Sequence, residues 1–118
     1  NNEGNLSYIE LEEAARAVMA YYMGFQRSEA GMALAAKKID FLKNESVRLH
    51  ANTTRELMRC IEAKEVLTVC SLAIAASRER KESGRCVYTR VDYPELDPNM
   101  NRPLLLWQEN GEAHIAWD

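Results

Sequence analysis

The sequence lacks the cysteine and histidine spacings that hold metal ions. Its 118 residues include three cysteines and two histidines, and Cys60, Cys70 and Cys86 form no C-x-x-C pair. A zinc or iron-sulfur ligand set needs such pairs or a nearby histidine, so we expect no metal site. Cys60 and Cys70 are predicted to be small core residues and Cys86 a loop thiol, all reduced in a cytoplasmic compartment.

Residues arranged for catalysis or phosphate binding are also missing. Gly24 and Gly31 do not follow a strand, so they are not a glycine-rich phosphate loop. His50 lies at a predicted helix end and His114 in a predicted hairpin, and no sequence signal brings either beside a nucleophile. We therefore predict no catalytic, cofactor-binding or metal-binding residue in this chain, and two surface or capping histidines.

Charge and hydropathy exclude two further classes of protein. The formal net charge of -3 argues against a dedicated nucleic-acid binder, which needs an excess of clustered Lys and Arg. No apolar run reaches the length of a bilayer-spanning helix, and no basic-then-apolar leader precedes Leu6. With 47% hydrophobic and 28% charged residues, residues 1–118 are expected to form a single soluble domain.

What the sequence does contain is helical periodicity with clear start signals. Ser7 with Glu10, and Thr53 with Glu56, have the spacing of a capping box. Gly24 ends the first periodic segment, and three helices are predicted at about 8–23, 28–50 and 54–82. Their apolar faces are, in order, Leu11, Ala15, Val18 and Tyr22; Met32, Ala35, Ala36, Ile39 and Leu42; and Cys60, Ala63, Leu67, Cys70 and Ile74. These faces predict a mainly α fold, a three-helix up-down-up bundle of the spectrin-repeat-like kind.

The helical period disappears after Ser83. Gly84 is expected to take the left-handed conformation that ends a helix, and three prolines then disfavour another long one. An extended charged loop is predicted over 84–102. A C-terminal β-hairpin is predicted over about 103–117, because Asn110-Gly111 suits a type I′ turn. Its leucines and tryptophans are expected to pack on the bundle or on another domain.

Two motifs in the sequence resemble those of one flavoprotein family. Arg80–Arg85 followed by Arg90–Asp97 resembles the E-S-R-G-x-H-x-R-x-D-Y-P signature of succinate dehydrogenase and fumarate reductase flavoproteins. Gly24–Met32 resembles the family's G-I-x-R-S-E-x-G-L turn. Two motifs in this order are more specific than either one alone.

The signature carries one inserted residue. Alignment backwards from Arg90 places Arg85 at the signature arginine and Tyr88 at its histidine, whereas alignment forwards from Glu82 places Gly84 at that arginine. This departure suggests a divergent branch near adenylylsulfate reductase alpha subunits or an uncharacterised fumarate-reductase-like protein, with L-aspartate oxidase as a further member sharing the domain plan.

The resemblance implies that the chain is the C-terminal helical domain of a larger FAD-dependent oxidoreductase. FAD would belong to the parent protein, and this fragment alone would hold no cofactor and not be catalytic. Its role would be structural and docking, against the FAD-binding domain of the same chain and an iron-sulfur subunit. The implied location is cytoplasmic, or peripheral to a membrane through a partner subunit. The alternative is a free-standing helical interaction module that binds another protein or itself. An upstream strand followed by G-x-G-x-x-G would separate the two.

The charged loop supplies the candidate docking residues. They are Arg80, Glu82, Arg85, Tyr88, Arg90, Asp92 and Tyr93. Two interpretations stand: a salt-bridged loop that satisfies itself and closes the bundle, or a docking surface that uses the planar guanidinium groups. Under the second, the charges stay hydrated in the isolated domain, and replacing Arg85 or Arg90 by alanine should cost about 0 to 1 kcal/mol there.

Overall fold

The computed structural model describes residues 6–84, 88–95, 97–100, 102–110 and 112–117. Helices are α1 (Tyr8–Tyr22), α2 (Glu29–Glu45) and α3 (Thr54–Glu79), with short 3-10 turns at Ser46–Arg48 and Pro98–Met100. Strands are β1 (Gln26–Arg27), β2 (Thr89–Arg90), β3 (Leu104–Glu109) and β4 (Glu112–Trp117). The predicted fold class, a mainly helical three-helix bundle with a C-terminal hairpin, is confirmed.

The helices alternate in direction, which follows from the short connections between them. Leu6 N–H donates to Arg48 O at 3.2 Å, and His50 N–H donates to Leu6 O at 3.2 Å. These bonds place the start of α1 beside the end of α2 and the approach to α3. We call this end of the bundle, formed by the start of α1, residues 46–53 and the start of α3, the open end.

The predicted helix starts depend on side-chain caps that the structure shows. Ser7 Oγ accepts the Glu10 backbone N–H at 3.2 Å, and Glu10 Oε1 accepts the Ser7 N–H at 3.1 Å, which completes the capping box. Thr53 Oγ1 accepts the Glu56 N–H at 3.1 Å. The return bond there differs from a capping box, because Glu56 Oε2 accepts the Asn52 N–H, one residue earlier.

The core is formed where the three apolar helix faces meet. Its buried residues are Leu11 and Ala15 of α1; Met32, Ala35 and Ile39 of α2; Leu49; and Cys60, Ala63, Leu67, Cys70 and Ile74 of α3. Every residue of the predicted α3 face is buried, as a three-four spacing dictates for a helix packed on two neighbours. Burial raises the pKa of the Cys70 thiol, so this cysteine behaves as a core residue.

Two helices end earlier than predicted. Helix α2 ends at Glu45, and the chain continues as the 3-10 turn Ser46–Arg48. At the start of this turn Ser46 Oγ donates to Lys43 O at 2.6 Å. Helix α3 stops at Glu79, and Arg80 is extended with φ -82° and ψ 99°. Gly84 therefore does not end the helix, and its φ lies outside the left-handed region. It forms a bridge with Tyr88 instead.

The hairpin forms in the predicted register. Glu109 pairs with Glu112 and Leu104 with Trp117, and Asn110 adopts the positive φ of 53° that such a turn requires. Its other predicted turn residue, Gly111, lies outside the described residues.

One face of the hairpin packs on α3. Trp117 Nε1 donates to Glu79 Oε1 at 3.2 Å. Trp107 lies on the opposite face, where its ring stacks on His114 with centroids 5.6 Å apart and the residue remains 42% exposed. The expectation that the tryptophans pack on the bundle or on another domain is met on the bundle by Trp117, and for Trp107 packing on another domain stays a prediction.

The other histidine differs from its expected capping or surface role. Within the described part of the chain, His50 Nδ1 is buried and has no hydrogen-bond partner. The His50 carbonyl lies 3.5 Å from the Cys60 Sγ, which donates to it. The residue therefore joins the start of α3 through its backbone.

Candidate functional site

The segment after α3 folds back over the end of the bundle opposite the open end. Strand β2 pairs in parallel with β1, with Thr89 N–H donating to Phe25 O at 2.6 Å and Val91 N–H to Arg27 O at 2.7 Å. This pairing brings together side chains that we call the loop cluster. Its members are Arg27, Arg80, Glu82, Ser83, Tyr88, Arg90 and Asp92.

Arg90 is the centre of the loop cluster. The residue is 1% exposed, and its guanidinium makes a two-point pair with Asp92: Nε to Oδ1 at 3.0 Å and Nη2 to Oδ2 at 2.9 Å. Its Nη1 donates to Ser77 O at 3.1 Å and to Arg80 O at 2.7 Å. The charge is therefore buried with an anionic partner and with carbonyls at the end of α3, the helix terminus that favours a cation.

Asp92 joins this pair to the start of α2. Its Oδ2 accepts the Glu29 backbone N–H at 3.2 Å, at a helix terminus that favours a negative charge. Hydrogen bonding from Arg90 lowers the pKa of Asp92 to about 2 from its ordinary 3.8. Arg90 and Asp92 together connect the carboxyl end of one core helix with the amino end of another.

A second group of the cluster surrounds Glu82, which is 6% exposed. Its Oε1 accepts hydrogen bonds from Arg80 Nη1 at 3.1 Å and from the Tyr88 hydroxyl at 3.1 Å. The pKa of Tyr88 is raised, mainly by burial of the hydroxyl and secondly by its hydrogen bond to Glu82. Arg80 also donates to the carbonyls of Met100 at 2.9 Å and Arg102 at 2.6 Å, which fixes the chain leading into the hairpin.

Ser83 and Arg27 are two structural members that the candidate docking set omitted. Ser83 Oγ accepts the Arg90 N–H at 3.0 Å and donates to Tyr93 O at 2.8 Å. Arg27 Nε donates to Gly24 O at 2.9 Å and its Nη1 to Ser77 Oγ at 3.2 Å. Arg27 lies in the first of the two motifs that carried the family resemblance, and Ser83 lies in the second. The two motifs were therefore the sequence signal that could have identified both residues.

The positions of the candidate docking residues divide into three classes. Glu82 and Arg90 are buried and paired, so the expected hydration of the loop's charges is wrong for them. Arg80 and Tyr88 are partly buried in the same network, whereas Asp92 and Tyr93 lie at the surface, Tyr93 with its ring 5.1 Å from the Arg90 guanidinium carbon. Arg85 lies outside the described residues, as does Cys86.

Cation–π contacts connect the hairpin to the same network. The guanidinium carbons of Arg80 and Arg102 lie 5.0 and 5.3 Å from the Trp117 ring centroid. Between the hairpin and the helices there is a small cavity of about 180 Å³, lined in part by Asp40, Leu72 and Gln108. Its mixed lining shows no convergent set of catalytic groups.

Neither a metal site nor a membrane span is found in the described part of the chain. No group of three or more His, Cys, Asp or Glu side chains there is placed to hold a metal ion. None of the helices that the structure describes is both long and apolar enough to cross a bilayer. The loop cluster is an arrangement of ion pairs and helix-end contacts.

Comparison with known proteins assigns this helical domain to a family of flavoprotein C-terminal domains. Residues 12–117 match the family described as the C-terminal domain of the fumarate reductase flavoprotein. The chain belongs to that family, and it is therefore a flavoprotein C-terminal domain of the kind found in FAD-dependent fumarate reductases and succinate dehydrogenases.

Individual relatives agree with this assignment. The chain is 30% identical over 122 residues to the fumarate reductase flavoprotein subunit of Haemophilus influenzae, covering 98% of this chain and 20% of that protein. It is 32% identical over 93 residues to an uncharacterised FAD-dependent oxidoreductase of Methanocaldococcus jannaschii, covering 79% of this chain and 17% of the relative. It spans about a fifth of the length of these curated relatives.

A solved structure shows the same fold. Adenylylsulfate reductase of Archaeoglobus fulgidus superposes with a TM-score of 0.89 at 22% identity, over 99% of this chain and 20% of that one. At this identity the likeness establishes the fold. The predicted resemblance to the flavoprotein family is confirmed by the family match and the relatives together.

Proposed function

We propose that this chain is the C-terminal part of an FAD-dependent oxidoreductase, in which it supports the FAD-binding domain of the same polypeptide. The observation that carries the proposal is the family match over residues 12–117 in a chain that spans about a fifth of its relatives. Residues 1–118 act as one domain in this proposal. Its role is structural and docking, and an iron-sulfur subunit is its further partner. The enzyme is cytoplasmic, or peripheral to a membrane through that partner.

The loop cluster does not suit FAD binding by this domain. A dinucleotide pyrophosphate is held by free backbone N–H groups at a helix start and by available cations. Here the Glu29 N–H is taken by Asp92, and the donors of Arg90 are engaged by Asp92 and by carbonyls. The proposal accordingly places FAD in the remainder of the polypeptide, and the chemistry of hydride transfer with it.

Within the proposed docking role, the charged loop contributes its exposed part. Asp92 and Tyr93 remain at the surface, and Tyr93 is 40% exposed. Arg90 supports that surface from beneath by holding Asp92 in place. Arg80, Tyr88 and the buried Glu82 hold the proposed docking segment in place, and Arg85 completes the proposed segment.

Purification of the full-length flavoprotein and of residues 1–118 tests the proposal. The full protein should carry bound flavin, visible in its absorbance spectrum, and oxidise or reduce a small dicarboxylate or related acid. The domain alone should be colourless, without activity toward succinate, fumarate or adenylylsulfate. Calorimetric binding of FAD by the domain at low micromolar concentration, or absence of flavin from the folded full-length protein, would contradict it.

A further inference from the structure

Large apolar side chains are exposed at the start of α3. Leu57 is 52% exposed, Met58 62% and Ile61 51%. Their spacing of three and four positions places Met58 and Leu57 each beside Ile61 on the helix surface. Several apolar residues exposed together on a soluble domain are typical of a surface that another protein covers.

This patch continues a helix face that is already an interface. Leu57, Ile61, Thr68, Leu72 and Ala75 follow one another at steps of four, seven, four and three residues, the spacing of a packed helical seam. Thr68, Leu72 and Ala75 face the hairpin across the 180 Å³ cavity. The hairpin thus covers the second half of the seam, and the first half at Leu57 and Ile61 remains uncovered.

Three of the other exposed apolar residues have a local explanation. Leu34 and Phe41 on α2 lie seven positions apart with Lys37 and Lys38 between them. Each is therefore a single apolar residue on a solvated helix face. Trp107 on the outer face of the hairpin stacks on His114 and donates to Glu109 Oε1 at 3.0 Å. Among the described residues, Leu57, Met58 and Ile61 belong neither to the core nor to the partly buried apolar residues packed against it.

The position of the patch identifies what covers it. The patch lies at the open end, where Leu6 leads into α1 beside Arg48 and His50. In a C-terminal domain the preceding part of the polypeptide leads into α1. In the proposed full-length protein that preceding part would enter at the open end, which also carries Ile9 and Val47, 51% and 79% exposed.

We propose that the first two turns of α3, with Leu57, Met58 and Ile61 as contacts, dock on an apolar surface of the preceding domain of the same flavoprotein chain. The inference rests on the proposed function, since it requires the chain to be part of a larger protein. It locates the hydrophobic centre of the interdomain contact at the end opposite the loop cluster. Apolar contacts form the centre of protein interfaces and charged residues their rim, and here Arg55, Glu62 and Glu65 surround the three apolar side chains.

Cysteine labelling in the full-length flavoprotein tests the contact. In a Cys86→Ser background, Leu57→Cys and Ile61→Cys would be treated with a charged maleimide, with Phe41→Cys as the matched control, because Phe41 is 61% exposed on α2. Cys60 and Cys70 are buried in this domain, and mass spectrometry of the labelled peptides separates residues 57, 61 and 41 from every other cysteine of the full-length protein. We expect the first two variants to react about tenfold or more slowly than the control, because labelling then requires local opening of the interface.

Unmodified protein gives a second measurement that does not depend on a variant folding. Met58 should be oxidised to the sulfoxide by dilute hydrogen peroxide more slowly in the native full-length protein than after unfolding in urea. Oxidation at equal rates, or labelling of Leu57→Cys and Ile61→Cys as fast as Phe41→Cys, overturns the proposal. Protection that disappears on dilution together with a dimer in light scattering assigns the patch to a second copy, and also overturns it.

The flavin content of the full-length protein distinguishes failure of the docking inference from failure of the proposed function. If the full-length protein holds flavin but Met58 and the engineered cysteines are unprotected, the docking inference fails while the proposed function stands. If the folded full-length protein holds no flavin, the proposed function fails first.

Discussion

At the scale of single residues, Arg90 is the buried charge on which the end of the bundle depends. Taking a cation out of water is costly, and the cost is offset only by a close anion and further hydrogen bonds. Arg90 has both: the two-point contact with Asp92 and the carbonyls of Ser77 and Arg80. Removing the side chain would take these hydrogen bonds away from the two carbonyls and would leave Asp92 with the Glu29 N–H as its remaining donor among those described.

Arg90→Ala is therefore expected to destabilise the domain by about 3 to 5 kcal/mol, the usual cost of breaking a buried ion pair. The change would be measured as the free energy of unfolding in urea. Arg59→Ala is the matched control, since the Arg59 side chain is 48% exposed and 3.8 Å from Glu62, and should cost less than about 1 kcal/mol. Arg90→Lys should recover little, because an ammonium cannot make the planar two-point contact. A cost for Arg90→Ala no larger than that of the control would show a hydrated loop, as hypothesised from the sequence.

Asp92 should make stability depend on pH in the acid range. Its pKa is lowered in the fold from 3.8 to about 2, so the folded state binds its proton less readily than the unfolded state does. The stabilisation is present in full above the unfolded pKa and is lost as the pH falls through the folded pKa. Urea unfolding between pH 5 and pH 2, roughly the range in which such a carboxylate titrates, should show a steep loss that Asp92→Asn flattens. Glu13→Gln, at an exposed position on α1, is the matched control, and equal profiles for both variants would refute the assignment.

At the scale of elements, the helices follow from local sequence and the loop does not. The 3.6-residue period and the Ser7 and Thr53 caps suffice to predict the buried faces, because residues a few positions apart determine them. The loop contacts join residues 13, 50 and 63 positions apart: Arg90 with Ser77, Arg27 with Ser77, and Asp92 with Glu29. No local spacing encodes such pairs, so sequence reasoning identified the residues of the loop but not that Arg90 and Glu82 are buried.

The position of Gly84 illustrates the same limit. Glycine is needed there because the Tyr88 ring leaves no room for a side chain: a Cβ atom built at residue 84 would lie 2.8 Å from Tyr88 Cε1. Gly84→Ala should push the Tyr88 ring away from Glu82 and from Arg27, whose guanidinium carbon lies 4.9 Å from the ring centroid. We expect a loss of about 1 to 3 kcal/mol in unfolding free energy, as for an overpacked site. In a Tyr88→Ala background the same change should cost much less, and an undiminished cost would place the strain in the backbone.

At the scale of the whole molecule, the hydrophobic core and the hairpin are separable. All the fully described core residues come from the three helices and Leu49, and the hairpin contributes none of them. The hairpin is attached through the Trp117 contacts with Glu79, Arg80 and Arg102. The loop cluster, in contrast, connects α2 with α3 through Arg90 and Asp92.

Two truncations should therefore behave differently. Deleting residues 103–118 should leave a helical protein that still unfolds cooperatively, with a melting temperature lower by about 5 to 15 °C, since a contact worth 1 kcal/mol shifts a domain of this size by several degrees. Deleting residues 81–118 also removes Arg90 and Asp92 and should lower the melting temperature further, because the ends of α2 and α3 lose these shared partners and keep the Arg78–Glu29 pair. Thermal melts followed by far-ultraviolet circular dichroism distinguish the two proteins. If the shorter deletion is as disruptive as the longer one, the hairpin is part of the folding unit, and the helices alone do not account for the stability of the domain.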